Sequence, residues 1–475
     1  MTPAATPSET RSLRRRTIAL LIASAAVAVV AALLTARGPA ARRAAEPACV
    51  AAPVDVGGLS VAVRAQACQI LRGTTETHVA VELVAPARAG VTRHDVAMAL
   101  VIDRSGSMSG GPLQDARRAA ANAIDALGPE DWFAVVTYST ASELLVPLSP
   151  ATDDNKRRAK AALETVRADG GTNISAGLDR GARELTALDG RGDRVGRLVL
   201  ISDGQANEGI YDRRGLADLA AHTAGDGVSI TTVGVGLDFD EVTMTEMATA
   251  GRGNYYFVER ASDLAGMFER ELGSLGETVV VDARLEVTPA AGVEIVEAYG
   301  YRSDRAGAAT VIPVADLRAG ERRKVVLRVR VTADHAGPID LVATRLAWRP
   351  AGDAGEVVAE SRVAVTVTDD VRAAAGSHVA EAERNVQEAQ MARALDEATG
   401  AYERGDYREA QRIIEAQAAE AEATATAMGD DGLSRKIGAV KERAQKNFAA
   451  APAATGAGAA RAKKANRADA FDLAR

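Results

Sequence analysis

Continuous apolar runs alternate with helical patterns through the middle of the chain. The run Val96–Asp103 and the run RLVLIS that begins at Arg197 are typical of strands buried on both faces of a parallel sheet. Further strands are predicted in WFAVVTYS, SITTVGVG and NYYFV, and helices at 111–127, 153–166, 173–188, 216–224, 240–249 and 261–275. The alternation predicts a doubly wound, mostly parallel, Rossmann-like α/β domain over 94–275, with its binding crevice at the carboxyl ends of the strands.

A hydrophobic period of two occurs on both sides of this segment. It is clear in LSVAVRAQ and THVAVELVAP within 54–93, and in VVLRVRV and VAVTVTD within 278–368. We expect the two stretches to pair into one β-sandwich, with the α/β domain inserted in it or flanked by it.

The C-terminal part of the sequence loses the strand signals. Ala, Glu, Gln and Arg dominate 371–448, where two helices joined at Gly405-Asp406 predict a helical hairpin. Half a tetratricopeptide hairpin is an alternative, but no repeat accompanies it. Residues 450–475, rich in Ala, Gly and basic side chains, are predicted to be a disordered tail.

Near the N-terminus, a basic segment within 1–17 precedes an uncharged apolar run at 18–36. The run is long enough to cross a bilayer as a helix and longer than the usual apolar region of a cleaved signal peptide. It predicts a transmembrane signal anchor, followed by a linker at 37–53. We therefore expect a single-pass membrane protein with most of the chain outside the cytoplasm, in the periplasm or extracellular space.

Composition narrows the possible partners and the compartment. The net charge is -7, with 57 basic and 64 acidic side chains, so no overall positive field favours nucleic acid. The only two cysteines, Cys49 and Cys68, follow the apolar run closely. A disulfide between them suits an exported chain, although the spacing alone leaves two unrelated thiols open.

Three predicted loops carry oxygen-bearing side chains, two of them directly after a strand and one directly before a helix. DRSGSM places Asp103, Ser105 and Ser107 directly after a buried strand, DGGTNIS offers Thr172 before a helix, and ISDGQANEG offers Asp203 after another strand. We expect the three loops to open on one sheet edge. Hydroxyl and carboxylate oxygens are hard ligands suited to Mg²⁺. The first motif alone is also compatible with an ordinary turn and helix cap.

The three motifs together resemble the metal-ion-dependent adhesion site of von Willebrand factor type A domains, as in integrin I domains and many bacterial proteins. The resemblance covers about 94–275. It implies that Asp103, Ser105, Ser107, Thr172 and Asp203 hold Mg²⁺, or Mn²⁺ or Ca²⁺. In the family the serine hydroxyls coordinate directly, and the threonine and aspartates coordinate directly or through water.

The function implied is cation-dependent protein–protein binding, in adhesion or complex assembly, with a partner's Asp or Glu carboxylate completing the coordination. The alternative is a chaperone-type adaptor for an ATPase-driven system of complex assembly or metal insertion. A metal-dependent hydrolase is disfavoured because the sequence offers no base or nucleophile beside the site. We therefore expect no enzyme activity.

Overall fold

The computed structural model describes residues 49–87, 94–187, 194–275, 277–352, 355–449 and 456–475. The basic segment 1–17, the predicted transmembrane segment 18–36 and residues 37–48 of the linker lie outside them. Within the described ranges, no helix combines the length and the apolar character that a membrane crossing requires.

A two-sheet β-sandwich is built from strands on both sides of the α/β domain. The strands before that domain are β1 (Val54–Val56), β2 (Leu59–Ala65), β3 (Gln69–Leu71) and β4 (Gly73–Val84). Those after it are β11 (Thr278–Pro289), β12 (Val293–Ala298), β13 (Asp304–Ala306), β14 (Ala309–Pro313), β15 (Leu317–Arg318), β16 (Arg322–Ala333), β17 (Gly337–Pro350) and β18 (Val357–Thr368).

Strands from before the α/β domain pair in the sandwich with strands from after it. One sheet has the order β1-β2-β4-β16-β12, and the other has β13-β14-β11-β17-β18-β3, with β15 paired to β11. The antiparallel pair β4 and β16 runs from Gly73 opposite Ala333 to Val84 opposite Arg322. The α/β domain therefore projects from the sandwich between β4 and β11.

A disulfide closes the N-terminal end of the described chain. It joins Cys49 to Cys68, whose Cα atoms are 5.0 Å apart. Cys49 is buried in the sandwich core, and Cys68 packs against the same core. The crosslink ties the segment before β1 to the segment before β3.

The α/β domain consists of alternating strands and helices between β4 and β11. Its strands are β5 (Val96–Asp103), β6 (Trp132–Tyr138), β7 (Ser142–Pro150), β8 (Val195–Ser202), β9 (Val228–Val235) and β10 (Arg252–Val258). Its helices are α1 (Gly111–Ala126), α2 (Asp153–Thr165), α3 (Ile174–Thr186), α4 (Arg213–Gly225), α5 (Glu241–Ala250) and α6 (Leu264–Leu275).

The sheet of this domain has the order β10-β9-β8-β5-β6-β7, and its pairs are parallel except β6 with β7. Every residue of β5, β8 and β9 is buried. The apolar runs predict this for β5 and β8, whereas β9 was predicted only as a strand. The antiparallel edge strand β7 was missed by sequence analysis. It contains Pro147, which an edge strand tolerates because its free side needs no hydrogen-bond donor.

Helices follow the sandwich to the end of the chain. They are α7 (Val371–Ala375), α8 (Ala380–Glu403), α9 (Tyr407–Met428), α10 (Asp431–Ala449) and α11 (Ala457–Ala474). The predicted hairpin at Gly405-Asp406 corresponds to α8 and α9. Gly405 has a φ of 81°, which a residue without a Cβ adopts readily.

The predicted disordered tail is wrong for its described part, because residues 457–474 form α11. Phe471 of this helix packs in a core of the α/β domain, with its ring edge-on to Tyr255. Lys464 is buried and donates to Glu241 at 2.8 Å. The basic residues that suggested a solvated tail are instead paired with carboxylates of other elements, which a local pattern cannot reveal.

A buried ion cluster joins the α/β domain to the sandwich. Arg197 at the start of β8 lies 3.7 Å from a carboxylate oxygen of Glu271 on α6 and 3.5 Å from one of Asp316, between β14 and β15. These side chains are 5%, 0% and 9% exposed. Removing the Arg197 side chain would leave the carboxylates of Glu271 and Asp316 close together with little solvent to screen their charges.

We expect Arg197→Ala to lower the free energy of unfolding by about 3–5 kcal/mol, because it breaks a buried ion cluster from one side. Thermal and denaturant unfolding would measure the effect. The control is Arg183→Ala, which removes the exposed pair with Asp179 and should change stability by less than about 1 kcal/mol. Equal effects of the two variants would contradict the structural role of Arg197.

Candidate metal centre

Asp103 ends β5 at the carboxyl edge of the sheet, and its carboxylate is fully buried. One oxygen, Oδ1, accepts a 2.8 Å hydrogen bond from the backbone N–H of Ser105. The other, Oδ2, accepts a 2.6 Å hydrogen bond from the hydroxyl of Ser202, the last residue of β8. The neighbouring strand thus fixes the orientation of the Asp103 carboxylate.

The first and third loops meet through two serines and an aspartate. The hydroxyl oxygens of Ser105 and Ser107 are 3.0 Å apart. Ser107 donates a 2.7 Å hydrogen bond to Asp203 Oδ1. Residues separated by about a hundred positions in sequence are therefore in direct contact at the sheet edge.

The second loop brings Thr172 to the same place. Its backbone N–H donates to the side-chain oxygen of Asn207 at 2.8 Å, and its carbonyl accepts from the N–H of Asn207 at 3.0 Å. A Cβ added to Gly204 would lie 3.4 Å from Thr172 Oγ1 and 3.5 Å from Ser107 Oγ. Both hydroxyls therefore border the small space beside Gly204, and all five predicted residues are brought together.

Sequence reasoning missed two residues that position this site. Ser202 orients Asp103, and Asn207 ties the third loop to Thr172. Ser202 directly precedes Asp203 at the end of a buried strand, so its place at the same sheet edge could have been inferred. Nothing in the local sequence around Asn207 indicates which loop its amide contacts.

Burial governs the electrostatics of the two carboxylates. It raises the pKa of Asp103, against the hydrogen bond from Ser202, which lowers it. Burial also raises the pKa of Asp203 to about 6, against the Ser107 hydrogen bond, and the negative charge of Asp103 raises it further. These pKa values are set mainly by burial, by hydrogen-bond donors and, for Asp203, by other carboxylates. A cation would therefore stabilise the charged forms of both aspartates.

The donor set fits a hard divalent cation. Two carboxylates and three hydroxyls are oxygen ligands of the kind that Mg²⁺, Mn²⁺ and Ca²⁺ prefer. In the part of the chain that the structure describes, no three His, Cys, Asp or Glu side chains lie close enough to hold a metal ion together. A cation at this edge would accordingly depend on Ser105, Ser107 and Thr172 as well as on the aspartates.

Residues 97–270 match the family model of the von Willebrand factor type A domain. The chain contains a von Willebrand factor type A domain. A von Willebrand factor type A protein from Catenulispora acidiphila has a similar structure, with a TM-score of 0.63 at 19% identity, over 81% of this chain and 89% of that one. The ArnB paralog VWA2 from Sulfolobus acidocaldarius gives 0.59 at 13% identity, over 88% and 98%. The shared fold extends beyond the A domain.

Curated relatives match over smaller parts. An uncharacterised protein of Synechocystis is 26% identical over 242 residues, 49% of this chain and 56% of that protein. Escherichia coli YfbK is 29% identical over 197 residues, 41% and 34%. Human inter-alpha-trypsin inhibitor heavy chain H4 is 28% identical over 184 residues, 37% and 20%. The chain thus spans about half or less of the length of these relatives.

Gly209 allows the third loop to pack tightly on the second. Its φ is 67°, and a Cβ there would lie 2.3 Å from the side-chain oxygen of Asn173 and 2.6 Å from Ser175 Oγ. The same Asn173 oxygen caps α3 by accepting from the N–H of Ala176. A side chain at position 209 would therefore disturb the loop that carries Thr172.

We expect Gly209→Ala to destabilise the A domain by more than about 1 kcal/mol, because the backbone conformation and the space both disfavour a Cβ. Thermal unfolding and amide exchange of Thr172 would measure the loss. Gly438→Ala is the matched control, because Gly438 lies in α10 with no atom within 4 Å of the added Cβ. That helical replacement should stabilise slightly, so changes of the same sign in both variants would argue against the proposed packing.

Proposed function

We propose that the A domain binds a protein partner through a divalent cation held by Asp103, Ser105, Ser107, Thr172 and Asp203, and that it does not catalyse a reaction. The observation that carries the proposal is the contact of Ser107 with Asp203 across two loops, with the Thr172 hydroxyl bordering the same space. Domains of this family typically bind protein partners.

Each residue has a distinct part in this proposal. Asp103 and Asp203 supply the negative charge, and Ser202 holds the Asp103 carboxylate in place. Ser105, Ser107 and Thr172 supply neutral oxygens, so the ligand set carries no more than two negative charges. Bound Mg²⁺, Mn²⁺ or Ca²⁺ would supply a coordination position for an Asp or Glu carboxylate of the partner.

We expect Mg²⁺ or Mn²⁺ to raise the thermal stability of the protein, and EDTA to reverse the effect. A cation that binds only the folded state, present at a concentration a hundred times its dissociation constant, adds about 2.7 kcal/mol to the free energy of unfolding. Asp103→Ala and Thr172→Ala should each weaken cation binding at least tenfold by calorimetry. Two variants are needed because Asp103 is fully buried and its replacement also changes the folded state.

The control for these variants is Asp179→Ala, which removes an exposed carboxylate on α3. This variant should bind the cation as the unmodified protein does. Cation affinity that is the same in Asp103→Ala, Thr172→Ala and the control would contradict the proposed ligand set.

We also propose that the described domains lie outside the cytoplasm on a membrane-anchored chain. The Cys49–Cys68 disulfide supports this, because structural disulfides persist mainly in oxidising compartments. The apolar run at 18–36 supplies a segment long enough for an anchor.

In cells that produce the full chain, we expect the A domain to be cleaved by protease added outside the cytoplasmic membrane. Both cysteines should resist alkylation until a reductant is added. Protection of the A domain until the cytoplasmic membrane is lysed, together with two alkylatable thiols, would place the domain in the cytoplasm.

A further inference from the structure

Two large apolar side chains are exposed on the loop that begins with Asp203 of the candidate metal centre. Among the described residues, the exposed large hydrophobic side chains are Ile210, Tyr211 and Val371, at 41%, 67% and 56% exposure. Ile210 and Tyr211 are consecutive in the loop between β8 and α4, which begins with Asp203. Val371 lies at the start of α7, after the sandwich.

The loop that carries this pair is fixed at both ends. At one end, the N–H of Ile210 donates to Ser175 Oγ at 3.0 Å, and Ser175 lies three residues after Thr172 in the sequence. On the other side, Asp212 caps α4 by accepting from the N–H of Gly215 at 2.8 Å. A Cβ at Gly215 would lie 2.6 Å from Ile210 Cγ2, so this glycine makes room for the isoleucine.

Because hydrogen bonds hold the loop backbone, little backbone entropy is lost when a partner covers these two side chains. Tyrosine suits such a position because its ring can be buried while its hydroxyl stays in water, and tyrosine is enriched in interfaces. The neighbouring Glu208 accepts a hydrogen bond from Thr140 at 2.9 Å and adds negative charge to this side of the site. A second acidic side chain on the partner would be repelled here, whereas an apolar one would not.

We propose that Ile210 and Tyr211, here called the apolar patch, bind an apolar or aromatic side chain that lies next to the acidic residue in a protein partner. This inference rests on the proposed function, because the cation site would hold the acidic residue itself. The patch would then select among acidic segments, and the cation site would supply the common attachment point.

The test uses short random peptides displayed on phage, selected on the immobilised protein in Mg²⁺ and eluted with EDTA. Eluted peptides should contain Asp or Glu with a Leu, Ile, Phe, Tyr or Trp close to it in sequence. A synthetic peptide of the enriched sequence should bind Tyr211→Ser and Ile210→Ser roughly tenfold more weakly, which corresponds to about 1.4 kcal/mol. Tyr211→Phe should retain most of the affinity.

Val371→Ser is the matched control, since it removes an exposed apolar side chain outside the A domain. It should bind the peptide as the unmodified protein does, and all four variants should bind Mg²⁺ equally by calorimetry. Acidic peptides eluted without an apolar neighbour, or unaltered peptide affinity in both Tyr211→Ser and Ile210→Ser, would overturn the role of the apolar patch. Neither result would contradict the cation site. If EDTA elutes no acidic peptides, both proposals fail.

Discussion

Two buried carboxylates at one edge of a parallel sheet set the main constraint on this A domain. Asp103 and Asp203 follow neighbouring strands, and burial raises the pKa of each. The surrounding hydroxyl and amide donors, above all Ser202 on Asp103 and Ser107 on Asp203, offset part of that cost. These hydrogen bonds tie the loops to the two carboxylates, and the hydroxyls of Ser107 and Thr172 border one space beside Gly204.

The sandwich and the C-terminal helices contact the A domain outside the candidate site. The sandwich contributes Asp316 to the buried cluster around Arg197, at the opposite end of β8 from Ser202 and Asp203. The helix α11 contacts the segment between β9 and α5, where Lys464 donates to the carbonyl of Phe239 at 2.5 Å. Each contact buries a charged side chain, so together they link the A domain to the sandwich and to the C-terminal helices.

The third loop combines two kinds of surface in a short stretch. Asp203 lies at the base of the loop in contact with Ser107, and the exposed Tyr211 lies near its far end. Between them, Asn207 and Gly209 pack on the second loop. Partner attachment and partner discrimination would in this way be carried by one loop.

Local pattern was sufficient for the elements whose environment is uniform. The buried strands β5 and β8 are largely apolar because both faces of the sheet are covered, and this is visible without the fold. Asp103 and Asp203 could be assigned to one sheet edge because parallel strands present their carboxyl ends together. Thr172 lies between two helices, so its place beside them rested on the resemblance of the three motifs to a known metal site. The period of two likewise revealed the flanking strands of the sandwich.

Only the tertiary structure decided the features that depend on distant partners. The basic sequence of α11 is compatible with a solvated tail until Glu241, Glu259 and Asp396 are placed opposite its Lys464, Arg461 and Arg467. Similarly, β7 is a strand because β6 offers it an edge, and Asn207 matters because Thr172 lies beside it. The sequence by itself determined which segments are buried and which loops carry oxygen-bearing side chains. Long-range charge pairing and hydrogen bonding, which no local periodicity encodes, decided how those segments and loops meet.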